Sequence, residues 1–250
     1  MKITFIAILL TLPLLAAADD LVIVGDAWPP YNTSEPSGPK PGYAVEVMKE
    51  IFEKKGHTVK YEVVPWTGAV EGVAAGKFTA AICAADGEVK DGVLPKEPIS
   101  ISHSVFYTKK GNPWKYTGLG SLEGKQIGLI KDYSYDKGDF DKWAATAKNV
   151  QWSSGVGPLE INLKKMLDGR LDVVMDDPNV VTFTAKQDGL ADKIQEAGTL
   201  PTTTKLYISF SPKNPKSAEY AKTFSEGLIE LRKSGKLKTI LASYGLKDWK

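Results

Sequence analysis

The sequence predicts an α/β fold built from two similar units. Short apolar runs alternate with stretches whose apolar residues recur at helical spacing, and this alternation fills residues 21–84. The same order restarts after the loop at Gly111-Asn112-Pro113, and helical patterns fill the chain from residue 217 onward. Strands that alternate with helices are typical of parallel sheets with helical crossovers. We therefore expect two α/β units joined near residues 107–113, rather than one continuous sheet.

The first unit is predicted to contain three strands and two helices. The apolar run at 21–24 precedes a proline-rich loop, which indicates a buried strand. Apolar residues at helical spacing indicate a helix over 43–55, and Gly56 suits its C-terminus. The remaining elements are a strand at 59–64, a helix at 68–75 and a strand at 80–84.

The second unit repeats this order, and two helices follow it. Its predicted elements are strands at 126–130, 150–152 and 171–175 and helices at 133–148 and 158–168. The last two helices are expected at 217–233 and 236–244, each followed by a glycine that suits a helix end.

The first 18 residues are typical of a secretory signal peptide. Lys2 gives the positive start, residues 3–15 are apolar, and Ala16-Ala17-Ala18 offers a cleavage site. The apolar run is shorter than the roughly 20 residues that a membrane span needs, although a retained anchor helix stays an alternative. The only cysteine, Cys83, lies far from this site. We expect cleavage after Ala18 and a soluble periplasmic protein that is not a lipoprotein and has no disulfide.

The charge balance and the histidines exclude several classes of function. Removal of Lys2 leaves 31 basic groups (32 minus 1) against 30 acidic ones, so the chain has no overall attraction to nucleic acid or an anionic membrane. His57 and His103 do not stand at the spacing of metal ligands or of a Ser/His/Asp site. We expect no nucleic-acid partner, no metal, no cofactor and no catalytic residue.

A set of short motifs runs in order through nearly the whole chain after residue 18. They are Gly25-Asp26-x-Trp28-Pro29-Pro30-Tyr31, Gly42-Tyr43, Trp66-x-Gly68, Gly76-Lys77-Phe78, Leu122-x-Gly124-Lys125-x-Ile127-Gly128, Gly169-Arg170-Leu171-Asp172 with Asp177, and Gly235 with Tyr244-Gly245. Each motif is common by itself, but the ordered set resembles the family 3 extracellular solute-binding proteins, which include the polar amino-acid receptors of ABC transporters.

The resemblance implies a type II periplasmic-binding-protein fold, in which two strands join two lobes and the ligand binds in the cleft between them. Lobe 1 would comprise residues 19–108 and 208–250, and lobe 2 residues 109–207. The two crossings would fall near 107–108 and 207–211. The implied function is that of a monomeric receptor, which captures an amino acid or another amine-bearing solute and delivers it to an ABC-transporter permease in the inner membrane.

The resemblance also places aromatic residues against the apolar part of the ligand. Trp28 and Tyr31 lie in the proline-rich loop after the first strand, and Trp66 follows a later strand. An aromatic ring buries a large area with few rotatable bonds, which suits a binding site. The alternative is that all three are ordinary core residues.

Two acids are implied to meet the amino group of a ligand. Asp177 matches the acid that holds this group in the amino-acid-binding relatives, and Asp26 matches a first-lobe acid that serves the same amine or orients its loop. A carboxylate in a dry cleft forms a strong hydrogen bond with an ammonium group. The alternative for Asp177 is a cap of the following helix. Asp176 is interpreted as a surface residue.

The segment Lys131-Asp132-Tyr133-Ser134-Tyr135 opens the predicted helix of the second lobe. Relatives carry a Gly-Ser/Thr-Thr-type turn there, whose backbone N–H groups meet the anionic end of the ligand, as the unpaired amides of a helix start allow. This chain keeps Ser134, replaces the glycine with Asp132 and adds Tyr133 and Tyr135. We therefore expect weakened anion binding at this turn.

The largest departure from the family is a missing arginine. Relatives follow the Gly-Lys-Phe strand with Thr-x-x-Arg, whose arginine binds the carboxylate of the ligand. Here Glu88 stands at the threonine and Asp91 at the arginine, or Lys90 after a shift of one, and no arginine precedes Arg170. The ligand is therefore expected to be cationic or neutral, or an amino acid held by an unusual carboxylate site.

Ala84, Asp86 and Glu88 are expected to face the ligand, and a solvated acidic loop is the alternative. Two other functions also stay open. Some relatives are dehydratases that act on cyclohexadienyl acids, and Glu88 could serve as a general acid if it is buried. A receptor that docks on a sensor protein is the other alternative, and nothing in the sequence separates it from a transporter receptor.

Overall fold

The computed structural model describes residues 18–250. The predicted signal peptide, apart from Ala18, lies outside the described residues. The strands are β1 (Asp20–Gly25), β2 (Thr58–Val63), β3 (Ala80–Ala85), β4 (Ser100–Lys109), β5 (Ile127–Ile130), β6 (Val150–Ser153), β7 (Val173–Asp176) and β8 (Ile194–Phe210). The helices are α1 (Tyr43–Phe52), α2 (Trp66–Ala74), α3 (Asp139–Thr146), α4 (Pro158–Leu167), α5 (Pro178–Gln187), α6 (Ser217–Lys233) and α7 (Lys236–Ser243).

The eight strands form one hydrogen-bonded sheet in the order β2-β1-β3-β8-β4-β7-β5-β6. The expectation that the two α/β units do not share one continuous sheet is therefore wrong, although the two units themselves are present. The reason is the antiparallel pair β4 and β8, since β8 has 17 residues and pairs with β4 along one part and with β3 along another. Parallel pairing, as the alternation of strands and helices predicts, is found on both sides of this pair, in β2-β1-β3 and in β7-β5-β6.

The two outer sets of parallel strands run in opposite directions. β3 is antiparallel to β8, β8 is antiparallel to β4, and β4 is antiparallel to β7. As a result, the carboxyl ends of β1 and β3 face those of β5 and β7. The end of β3 at Ala85 pairs with Leu206, whereas the end of β7 at Asp176 pairs with Val105. Between these two ends only β4 and β8 continue, which leaves a cleft above them.

This architecture is the predicted two-lobed fold, with two strands running from one half to the other. The predicted crossing segments, 107–108 and 207–211, flank the cleft rather than span it, since Tyr107 pairs with Val174 of β7 and Tyr207 pairs with Ala84 of β3. The C-terminal helices α6 and α7 pack against α1, beside the first set of parallel strands. The lobe boundaries given above remain a proposal.

Helix α3 begins at Asp139, six residues later than predicted. The side chain of Asp136 accepts hydrogen bonds from the backbone N–H groups of Gly138 and Phe140, and Asp141 accepts from those of Tyr135 and Lys137. These two carboxylates bind the amides of Tyr135, Lys137, Gly138 and Phe140 in place of α-helical carbonyl groups, as aspartate commonly does in turns. The segment 131–137 is therefore a loop at the carboxyl end of β5.

One glycine fixes the approach of the proline-rich loop to α1. Gly42 has φ +112°, and a side chain there would collide with the backbone of Tyr31 and Asn32. Gly56 also has a positive φ, +89°, but lies in open space. We expect Gly56→Ala to cost ~1–2 kcal/mol of unfolding free energy from the backbone conformation alone. Gly42→Ala should cost ~1–3 kcal/mol more, because of the collision. Urea unfolding of both variants measures this difference, and equal costs would contradict it.

Candidate functional site

A pocket occupies the cleft between the facing carboxyl ends of the strands, where ligands of open α/β sheets bind. Its base is formed by Ser102 and Ser104 of β4 and Thr204 and Leu206 of β8. Eight of the eleven predicted site residues line it: Asp26, Trp28, Trp66, Glu88, Tyr133, Ser134, Tyr135 and Asp177. The first four come from the half that contains β1 and β3, and the last four from the half that contains β5 and β7.

Three predicted residues do not line the pocket. Tyr31 lies behind Trp28, with the two rings stacked at 4.3 Å between centroids, and is 1% exposed. Ala84 is buried in the sheet beside Tyr207. Asp86 is exposed on the turn after β3. The structure therefore does not place Ala84 or Asp86 against a ligand, and it gives Tyr31 a supporting position.

Asp177 has the geometry of the cap that the sequence left as an alternative. Its Oδ1 accepts hydrogen bonds from the N–H groups of Asn179 and Val180 at the start of α5, at 2.8 and 3.3 Å. Its Oδ2 accepts from the hydroxyls of Ser102 at 2.6 Å and Tyr31 at 3.1 Å. Both oxygens are thus already bonded, which leaves little capacity for a ligand.

Asp176 is the residue that sequence reasoning missed. The interpretation of Asp176 as a surface residue is wrong, because it is the last residue of β7 and is 2% exposed. Its Oδ1 accepts hydrogen bonds from Trp28 Nε1 at 2.9 Å and from the N–H of Asp177 at 2.7 Å. Its Oδ2 is buried without a hydrogen-bond partner in residues 18–250. This oxygen is therefore a buried acceptor without a partner, on a residue that lines the pocket.

Tyr133 fills the space between the two predicted tryptophans. Its ring meets that of Trp28 edge-on at 6.4 Å and that of Trp66 edge-on at 6.0 Å between centroids. Its hydroxyl donates a hydrogen bond to Asp26 Oδ2 at 2.7 Å. The indole N–H of Trp66 is buried and, among the residues that the structure describes, has no partner. Aromatic rings therefore enclose the pocket, which keeps a cavity of about 50 Å³.

Glu88 joins the two halves of the chain through backbone amides. Its Oε2 accepts a hydrogen bond from the N–H of Ala85 at 2.7 Å, and its Oε1 accepts from the N–H of Ser134 at 3.0 Å. The hydroxyl of Ser134 donates instead to Asp141. The turn that the family resemblance assigns to an anionic ligand end is thus bonded to a carboxylate of the protein itself.

Burial weakens the acidity of all four carboxyl groups in the pocket. Loss of solvation raises the pKa of Asp26, of Glu88 and of Asp176, each to about 7, and also raises the pKa of Asp177. No Lys, Arg or His of the described chain lines the pocket to offset this burial. Asp26, Glu88 and Asp176 are therefore only partly ionised near neutral pH.

The pocket is not arranged as a metal centre. Within residues 18–250, no group of three or more His, Cys, Asp or Glu side chains is placed to hold a metal ion.

No helix in this part of the chain is both long and apolar enough to cross a membrane.

Comparison with known proteins agrees with this fold and shows the family of the chain. The model of the bacterial extracellular solute-binding proteins, family 3, matches residues 21–247, and the chain belongs to this family. It is 22% identical over 193 residues to the arginine-binding periplasmic protein of Mannheimia haemolytica, with 76% of each chain covered. The family is one of solute-binding proteins, so the chain is a solute-binding protein.

Solved structures of distant relatives share the fold. A sensor domain of a histidine kinase with similarity to periplasmic binding proteins superposes with a TM-score of 0.75 at 21% identity, over 90% of this chain and 95% of that one. A Streptococcus mutans structure described for glutathione import through GshT and a cystine ABC importer superposes with a TM-score of 0.75 at 18% identity, over 94% and 99% of the two chains.

Proposed function

We propose that this protein is a periplasmic receptor that captures a small amine-bearing solute and delivers it to an ABC-transporter permease. The observation that carries the proposal is the convergence of four carboxyl groups and two tryptophans on one pocket whose lining contains no basic side chain among the described residues. We further propose export through the predicted signal peptide and action as a monomer. The arginine-binding relative and the importer-associated structure support the transport role.

The free oxygen of Asp176 gives the pocket its affinity for an ammonium group. An acceptor that is buried without a partner raises the free energy of the ligand-free protein by ~1–3 kcal/mol. A ligand N–H that reaches Asp176 Oδ2 removes this cost and adds a charge-assisted hydrogen bond. The rings of Trp28 and Tyr133 stand beside this position and can stabilise a cation further.

The ligand enters by opening of the cleft. In the closed pocket Tyr133 occupies the space between the tryptophans, so a ligand has to displace it. Contacts across the cleft hold it closed, above all those from Tyr133 to Asp26 and from Trp28 to Asp176. Hinge closure around a ligand is the established behaviour of periplasmic binding proteins. Here the hinge would be the stretch of β4 and β8 beneath the pocket.

Tryptophan fluorescence and thermal stability test the proposal together. A ligand found in a thermal-shift screen of amino acids and amines should change the intrinsic fluorescence, because it displaces Tyr133 from Trp28 and Trp66. Trp66→Phe should weaken binding ~3- to 10-fold, the loss of one neutral hydrogen bond. Trp152→Phe is the matched control, since Trp152 is 43% exposed outside the pocket.

Two outcomes would contradict the proposal. One is an affinity that Trp66→Phe leaves unchanged while Trp152→Phe lowers it. The other is the absence of any ligand among the amines and amino acids of the screen. Delivery is tested separately by uptake of the labelled ligand, which should require both this protein and the permease.

A further inference from the structure

We infer that the ligand of this pocket is a cation without a carboxylate, because Glu88 already occupies the position where a ligand carboxylate would bind. This inference rests on the proposed function and deepens it by naming the chemical class of the ligand.

The backbone amides that could bind an anion are taken by Glu88. The N–H of Ala85 comes from the end of β3, and the N–H of Ser134 comes from the loop after β5, so the two donors approach from opposite sides of the cleft. Both N–H groups donate hydrogen bonds to the carboxylate of Glu88, at 2.7 and 3.0 Å. A ligand carboxylate would have to displace Glu88 from both amides and would leave that carboxylate buried without its donors.

The rest of the pocket offers an anion almost nothing. The hydroxyl of Tyr133 donates to Asp26, and that of Ser134 donates to Asp141. In the described chain, the one fully buried side-chain donor of the pocket that lacks a partner is the indole N–H of Trp66. A single neutral donor does not offset the negative charges that surround it. It suits instead a hydroxyl, ether or carbonyl oxygen of the ligand.

The pocket offers a cation the negative charge and the hydrogen-bond acceptors that it needs. Asp176 presents an oxygen that is buried and free of hydrogen bonds, and Asp26 gives a second carboxylate once the hydroxyl of Tyr133 leaves it. Neither acid has a basic side chain of the described chain beside it in the pocket lining. An ammonium or guanidinium group therefore finds both charge and hydrogen-bond acceptors, and the N–H of Trp66 can hold an oxygen elsewhere on the ligand.

Matched pairs of compounds that differ only in the α-carboxylate test this inference. The pairs are ethylamine with alanine, cadaverine with lysine, and agmatine with arginine, each titrated calorimetrically at pH 8. We expect the amine of the best-binding pair to bind at least ~10-fold more tightly than its amino acid. Since 10-fold is about 1.4 kcal/mol, it lies within the range of one lost or repelled charged contact.

The variant Glu88→Gln tests whether the preference for the amine depends on Glu88 itself or only on the overall negative charge of the pocket. It removes the charge but keeps the shape, so the preference for the amine over the amino acid should fall at least ~3-fold. Asp86→Asn, an exposed acid two residues away, should leave the preference unchanged. Circular dichroism and thermal unfolding of both variants show whether they are folded.

Three results would overturn the inference that the ligand is a cation without a carboxylate. An amino acid that binds the wild type as tightly as its amine, or more tightly, overturns the inference and leaves the proposed function intact. A preference that Glu88→Gln and Asp86→Asn change equally also overturns it. Binding of none of the six compounds, together with the absence of any ligand in the screen of amines and amino acids, overturns the proposed function and the inference together.

Discussion

Replacement of Asp176 by asparagine is expected to weaken amine binding by about 10- to 100-fold. The reason is that Asp176 Oδ2 is the buried carboxylate oxygen without a partner in the described pocket, and a hydrogen bond to a charged group contributes ~1.5–3 kcal/mol. The asparagine keeps the shape and can still accept from Trp28 Nε1, so the closed arrangement is preserved. Calorimetric titration with the amine identified by the screen measures the effect.

Two controls make this expectation specific. Asp86→Asn removes an acid from the same face of the molecule but from an exposed position, and it should leave affinity within about 2-fold, in line with the small effect of exposed charges. Asp177→Asn should keep the cap of α5, since asparagine caps helices as well as aspartate does, and should lower affinity less than Asp176→Asn does. Equal affinity of wild type and Asp176→Asn would show that the ligand ammonium lies elsewhere.

The ligand-free protein is expected to be more stable at pH 5 than at pH 8. Burial raises the pKa values of Asp26, Glu88 and Asp176 to about 7, from 3.8 for an ordinary aspartate and 4.5 for a glutamate. Between pH 4 and 7 the folded protein therefore binds more protons than the unfolded chain. This contribution is complete below about pH 4 and is lost as the pH rises through 7.

The expected loss of unfolding free energy from pH 5 to pH 8 is at least ~3 kcal/mol, since one pKa unit corresponds to about 1.4 kcal/mol and three groups contribute. Asp19, Glu50 and Asp248 have lowered pKa values, so they affect stability only at more acidic pH. Urea unfolding at several pH values measures the slope, and Asp176→Asn should reduce it and stabilise the ligand-free protein at pH 8. A stability that rises from pH 5 to pH 8 would contradict this explanation.

Much of the fold follows from local patterns in the sequence. The strands β1, β2, β3, β5, β6 and β7 lie within about two residues of their predicted places, because each is a short apolar or alternating segment between turn residues. The long pair β4 and β8 is different. Residues 201–205 of β8 read Pro-Thr-Thr-Thr-Lys, a polar sequence that gives no core-strand signal, and only pairing with β4 makes it extended. The sequence patterns therefore did not predict that the sheet is continuous.

The candidate site was predicted in outline but not in its hydrogen bonding. Motif positions placed Asp26, Trp28 and Trp66 in the pocket, where they are. The family pattern led to the choice of Asp177 over Asp176 as the ligand-binding acid. In the structure, the oxygens of Asp177 are bonded to Ser102 and to the start of α5, which are remote from each other in sequence. The one available signal was the Asp-Pro start of α5, which already favoured a cap at Asp177.

The partnership of Glu88 with Ser134 could not be derived from the sequence either. The two residues are 46 positions apart and meet only because the carboxyl ends of β3 and β5 face each other. The sequence did show what was missing, since no arginine precedes residue 170. The structure shows that the carboxylate of Glu88 lies near the position of the missing arginine and accepts hydrogen bonds from two backbone amides.

A crystal structure of the protein with its tightest-binding amine tests the central claim most directly. We expect the ammonium nitrogen to lie ~2.7–3.2 Å from Asp176 Oδ2, with Tyr133 moved from between the tryptophans. Glu88 should remain bonded to the N–H groups of Ala85 and Ser134. A ligand carboxylate found on those two amides, with Glu88 displaced, would contradict the account.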